Sequence, residues 1–103
     1  MSPPDSEDPA KSTDAITRTL KIVNEKGLHA RASAKFVQLV EKFDAAVRVS
    51  RNGESAGGDS IMGLMMLAAG IGTSITVTAT GTQAAEVIAA LDELVSSRFG
   101  EEE

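Results

Sequence analysis

The stretch TSITVTAT, residues 73–80, alternates without a break: Ile75, Val77 and Ala79 fall on one side, hydroxyl side chains on the other. A period of two is the signature of a strand with one dry and one wet face. A strand buried on both faces would read as a continuous apolar run, so this pattern selects an antiparallel sheet with one face in water. The same texture recurs in AITRTLKIV, residues 15–23, where Ile16, Leu20 and Ile22 oppose Thr17, Thr19 and Lys21. Arg18 interrupts the apolar side there and points to an edge strand. In AAVRVSRNGESAGG, Val47 and Val49 oppose Arg48 and Ser50, and Asn52-Gly53 supplies the two positive-φ residues of a type I′ hairpin leading into a short further strand.

The dry face needs a cover, and three helical patterns lie between and after the strands. ARASAKFVQLVEKF sets Ala32, Phe36, Leu39, Val40 and Phe43 on one stripe. DSIMGLMMLAAGIG starts at Ser60 as N-cap, runs apolar through Leu67, and leaves the helix at Gly70 and Gly72. TQAAEVIAALDELVSSRF takes Thr82 as N-cap and buries Ala84, Val87, Ile88, Leu91, Leu94 and Val95. The order βαββαβα predicts an α+β, two-layer open-faced sandwich: a four-stranded antiparallel sheet covered on one face by three helices.

Residues 15–100 form this domain. Residues 1–14 hold all three prolines and four acidic residues with almost nothing to bury, and are expected to be a disordered tail. Residues 101–103 are expected to fray as an acidic C-terminus.

Several function classes are excluded by what the chain lacks. A net charge of −5 and 3% aromatic residues offer neither the basic patch nor the stacking platforms that nucleic acid requires. No run approaches the roughly 18 apolar residues of a membrane span. The N-terminus has no signal-peptide pattern, and the chain has no cysteine. A cytoplasmic monomer with no cofactor is the expectation.

His29 is the only histidine. It sits in NEKGLHARASAKFV, after a Gly-Leu turn and before a helix start, where unpaired backbone N–H groups and the helix dipole favour an anion. Arg31 adds a forked cation suited to phosphate. Small Ala30 and Ala34 leave room for a partner to approach. A neutral imidazole supplies a nitrogen lone pair as nucleophile near neutral pH. A metal site would need more ligands than one histidine and scattered carboxylates provide. Ser33, one turn on, is within reach of the ring, but no glycine elbow presents it as a nucleophile. The plainer reading, a solvated turn histidine, stands beside the phosphoryl-acceptor reading on local sequence alone.

GLHARASAKFV followed by SIMGLMMLAAGIGTSITVTATG resembles the histidine-containing phosphocarrier family of the bacterial phosphotransferase system, HPr with its nitrogen-branch relative NPr, over residues 16–99. The resemblance implies a carrier rather than an enzyme. His29 would take a phosphoryl group from phospho-enzyme I and pass it to enzyme IIA-type acceptors, with Arg31 steadying the group. Ser60 matches the serine that an HPr kinase/phosphorylase modifies in some lineages, and Ile61, Met62 and Met65 match the partner interface. Two positions depart from the family pattern. Ala32 stands where most members have proline, and Asp59, before Ser60, would repel an approaching phosphate donor. Capping is the simpler role for Ser60.

A rival from another class is an acyl carrier, since GGDSIMGLMMLA is similar to its Asp-Ser-Leu site, with Ser60 holding a prosthetic arm. Acyl carriers are helical bundles, however, and the threonine-rich strands and His29 have no place there. A non-catalytic interaction module is the third reading.

Overall fold

The computed structural model describes residues 15–101; the expectation for residues 1–14 and the last two glutamates of the acidic end lie outside the described residues. Strand β1 (Ile16–Lys21) is followed by α1 (Ala30–Val40), β2 (Ala46–Arg51), β3 (Glu54–Gly57), α2 (Ile61–Met66), β4 (Ser74–Thr80) and α3 (Ala84–Ser96), with a short 3-10 turn at Arg98–Gly100. The four strands form one antiparallel sheet in the order β1-β4-β2-β3. This is the open-faced sandwich expected from the periodicities.

Register explains how alternation becomes a core. Leu20 pairs with Ile75, Val49 pairs with Val77 and Ala56, and Val47 pairs with Ala79, so the apolar residues line up in rows under the helices. All of these are buried. Phe36 from α1, Leu64 from α2, and Val87, Ile88 and Leu91 from α3 close over them. The opposite face carries Thr17 opposite Thr78, whose hydroxyls lie 3.2 Å apart, and Thr19 opposite Thr76. Hydroxyls satisfied by one another and by water need no cover.

Arg18 lies in the apolar row of β1, yet its position on the edge lets the side chain leave the core and meet Asp92 of α3 at 2.9 Å. The hairpin turns as its sequence dictates, with Asn52 at φ 53° and Gly53 at φ 82°.

Two helix ends differ from expectation. α2 ends earlier, at Met66, and the left-handed exit falls on Ala68, at φ 54°, rather than on Gly70; Gly72 does turn left, at φ 85°. At α3, Gln83 occupies the N-cap without a side-chain cap bond. Thr82 instead donates to the Asp44 carboxylate at 2.7 Å, and the side-chain Oε1 of Gln83 accepts from the Asp44 N–H at 2.7 Å. The loop before β2 has claimed the groups that would otherwise cap the helix.

Candidate functional site

His29 is the N-cap of α1, in extended conformation, and its ring takes the part that serine or aspartate commonly plays there: Nδ1 accepts from the Arg31 N–H at 3.2 Å. The backbone on either side of the ring is fixed as well. Leu28 donates to the Ala69 carbonyl at 2.9 Å, and the His29 carbonyl accepts from Ser33 N–H at 2.8 Å. Ser33 is fully buried, and its hydroxyl donates to Leu28 O at 3.2 Å, so it is a structural hydroxyl turned away from the imidazole.

The turn before the histidine is built by Asn24, whose buried amide donates to the Gly27 carbonyl at 2.9 Å. Gly27 has φ +66°, and a Cβ there would lie 2.4 Å from the Ala69 oxygen. Only glycine lets the two loops approach this closely.

The other ring nitrogen faces the end of the chain. Past α3, Arg98, Phe99 and Gly100 all adopt left-handed backbone, at φ 61°, 55° and 75°. This reversal drives Phe99 into the core, where it is 1% exposed, and brings Glu101 back across α1. Lys35 fixes the reversal by donating to Phe99 O at 2.6 Å. Burying Phe99, worth about 1.5–3 kcal/mol, works against the cost of left-handed backbone, about 1–2 kcal/mol per non-glycine residue. The Glu101 carboxylate then meets His29 Nε2 through Oε2 and Asn24 Nδ2 through Oε1, the latter at 3.2 Å. The Glu101 side chain is 14% exposed and packed on the site.

His29 is 27% exposed and lines an open cleft of about 590 Å³ with Ala30, Arg31, Lys35 and Glu101. Arg31 and Ala30 are exposed and Ala34 half-buried. Across the Leu28–Ala69 contact stands α2. Ser60 caps it, accepting from Gly63 N–H at 3.0 Å. Leu64 within it and Leu67 at its C-cap are buried, whereas Ile61, Met62, Met65 and Met66 are exposed, Met66 most of all at 74%. Met66 and Ile71 are thus exposed as well as Ile61, Met62 and Met65, the residues that the resemblance matched to the partner interface. No group of three or more metal-ligating side chains occurs among the described residues, and none of their helices is long and apolar enough to cross a membrane.

Asn24 and Glu101 were not among the residues the sequence singled out. Asn24 carries a local signal, an asparagine three residues before a glycine, as in side-chain-closed turns. Glu101 carries none, because its partner is 72 residues away.

Residues 16–97 match the family model described as "PTS HPr component phosphorylation site". The chain belongs to the HPr family of phosphocarrier proteins. It is 49% identical over 88 residues to phosphocarrier protein HPr of Cupriavidus necator, covering 85% of this chain and 99% of that one. It is 36% identical over 86 residues to phosphocarrier protein NPr of Shewanella violacea, covering 84% and 94%. Among solved structures it is similar to HPr from Thermoanaerobacter tengcongensis, with a TM-score of 0.81, 39% identity, and coverage of 85% and 99%. An HPr fold with a four-stranded sheet is not the helical bundle that the acyl-carrier reading of Ser60 requires, and that reading falls. As an HPr-family protein the chain is a phosphocarrier of the phosphotransferase system and not a catalyst.

Proposed function

We propose that the protein accepts a phosphoryl group from phospho-enzyme I on a ring nitrogen of His29 and passes it to an enzyme IIA-type acceptor, in sugar uptake or a regulatory nitrogen-branch relay. The observation that carries this reading is the position of the imidazole: it caps an 11-residue helix and is 27% exposed in a cleft that Arg31 also lines. A phosphoryl group on such a ring meets unpaired backbone N–H groups and a guanidinium, both of which stabilise its charge without any metal or cofactor. The covalent phosphohistidine is a resting point between two transfers, so the protein lowers no barrier alone.

Ile61, Met62 and Met65, with Ala30 and Ala34 leaving space beside the ring, form the docking surface in this reading. Methionine side chains repack readily, which suits a carrier that must fit a donor and an acceptor in turn. The carrier works as a monomer in the cytoplasm, where both partners meet it. Ser60 acts as a helix cap; an HPr kinase/phosphorylase acting on it would have to break its bond to Gly63 beside the negative charge of Asp59.

Incubation with enzyme I and labelled phosphoenolpyruvate tests the reading. An acid-labile, alkali-stable label that disappears in His29→Ala supports it. A label on serine instead of His29 overturns it, and no label on the wild-type chain overturns it in favour of a passive interaction module.

A further inference from the structure

The sequence holds four methionines, and their placement is uneven. Met1 lies outside the described residues, while Met62, Met65 and Met66 all fall within the six residues of α2. None of the three belongs to the buried core, which is built from leucine, isoleucine, valine, alanine and phenylalanine. Spaced i, i+3 and i+4, they share the side of α2 that faces away from Leu64, its buried residue. Met66 and Met62 are the most exposed large apolar side chains among the described residues. In a chain without cysteine, the thioether is the one sulfur open to two-electron oxidation. The oxidisable sulfurs of the folded part are therefore gathered on one accessible helix face.

We propose that Met62, Met65 and Met66 form a reversible oxidation site, at which a peroxide converts the docking face of the carrier to sulfoxide and weakens its hold on partner proteins. This rests on the phosphocarrier reading, with α2 as part of the docking surface, and adds a control over that surface. In the step itself a sulfur lone pair attacks one oxygen of hydrogen peroxide and forms the S–O bond. The O–O bond breaks, and its electron pair leaves with the second oxygen as hydroxide. The hydroxide then takes the proton from the sulfur-bound oxygen and departs as water, so sulfur has lost two electrons and the peroxide has gained them. In the reverse step a pair of thiols, acting through a methionine sulfoxide reductase, returns two electrons and gives the thioether, a disulfide and water. In the free carrier the new S–O dipole points into water and disturbs the fold little, because Leu64 and Leu67 anchor the helix from its other side. On docking, the same dipole has to leave water for contacts that suited a thioether. The imidazole takes no part in this chemistry, so the effect falls on association with the partner and not on the transfer step.

The test treats the full chain alone with hydrogen peroxide and a metal chelator, and removes the peroxide before enzyme I and labelled phosphoenolpyruvate are added. Mass spectrometry is expected to place one added oxygen on each of Met62 and Met66 first and on Met65 later, with the urea midpoint close to that of the untreated chain. The KM of the carrier for enzyme I is expected to rise about tenfold with kcat little changed, and to return after treatment with methionine sulfoxide reductases and dithiothreitol. A variant carrying Met62→Leu, Met65→Leu and Met66→Leu is compared only with its own untreated sample, and its KM is expected not to respond to peroxide. Four results overturn the proposal: methionines of α2 that resist peroxide able to oxidise free methionine in the same solution, sulfoxides that leave KM unchanged, a rise in KM that persists in the triple variant, and a rise that comes with a lowered urea midpoint. If the untreated chain takes no label, the carrier reading itself fails, and the control over docking falls with it.

Discussion

The backbone N–H of Leu28 donates to the carbonyl of Ala69 at 2.9 Å, which fastens the turn before His29 to the exit from α2. The turn that carries His29 and the exposed methionines of α2 are therefore tied together through backbone, although they lie in separate segments of the chain. In the proposed reading, a partner seated on α2 would find the imidazole at a fixed offset.

Because that contact depends on the missing side chain of Gly27, the two glycines of tight turns respond differently to the same substitution. Gly27→Ala adds a Cβ 2.4 Å from the Ala69 oxygen at φ +66°, whereas Gly53→Ala, at φ +82°, meets nothing within 4 Å. Gly53→Ala should cost about 1–2 kcal/mol from backbone conformation alone. Gly27→Ala should cost distinctly more and should slow phosphoryl transfer. Urea titration of the two variants beside the wild type checks the order.

Phe99 holds the chain end over the site. Phe99→Ala removes a fully buried ring and should cost about 3–5 kcal/mol, read from the denaturation midpoint. In the folded fraction the variant should lose the Glu101 contact, so the His29 NMR signals should shift.

Ser60→Ala should cost about 1 kcal/mol through loss of the bond from Gly63, with little change in the rate at which His29 is labelled. Equilibrium unfolding and a labelling time course separate the two effects.

Met62 is 68% exposed, so Met62→Glu should change stability by no more than about 0.5 kcal/mol. It should weaken transfer to and from partners, seen as a higher KM for the carrier in an enzyme I assay. An unchanged KM would remove Met62 from the docking surface.

Much of the fold is written in short-range periodicity. The alternations in residues 73–80 and 46–51 and the stripe from Ala32 to Val40 each have one solution, and the structure adopts it. What local sequence missed was decided by distant groups. Thr82 has the chemistry of an N-cap, but Asp44 competes for its hydroxyl and wins. Ala68 takes the left-handed helix exit expected at Gly70. The same holds at the site: His29 and Arg31 were legible because the helix start is local, while Glu101 reaches the ring only after Phe99 finds its place in the core.

The return of the chain end also governs how the molecule can be handled. Anything joined just beyond Glu101, an affinity tag or a fluorophore, would begin beside the imidazole and crowd the cleft that it shares with Arg31. Ile16, by contrast, lies at the far end of a six-residue strand, about 20 Å along β1 from the end that leads to His29.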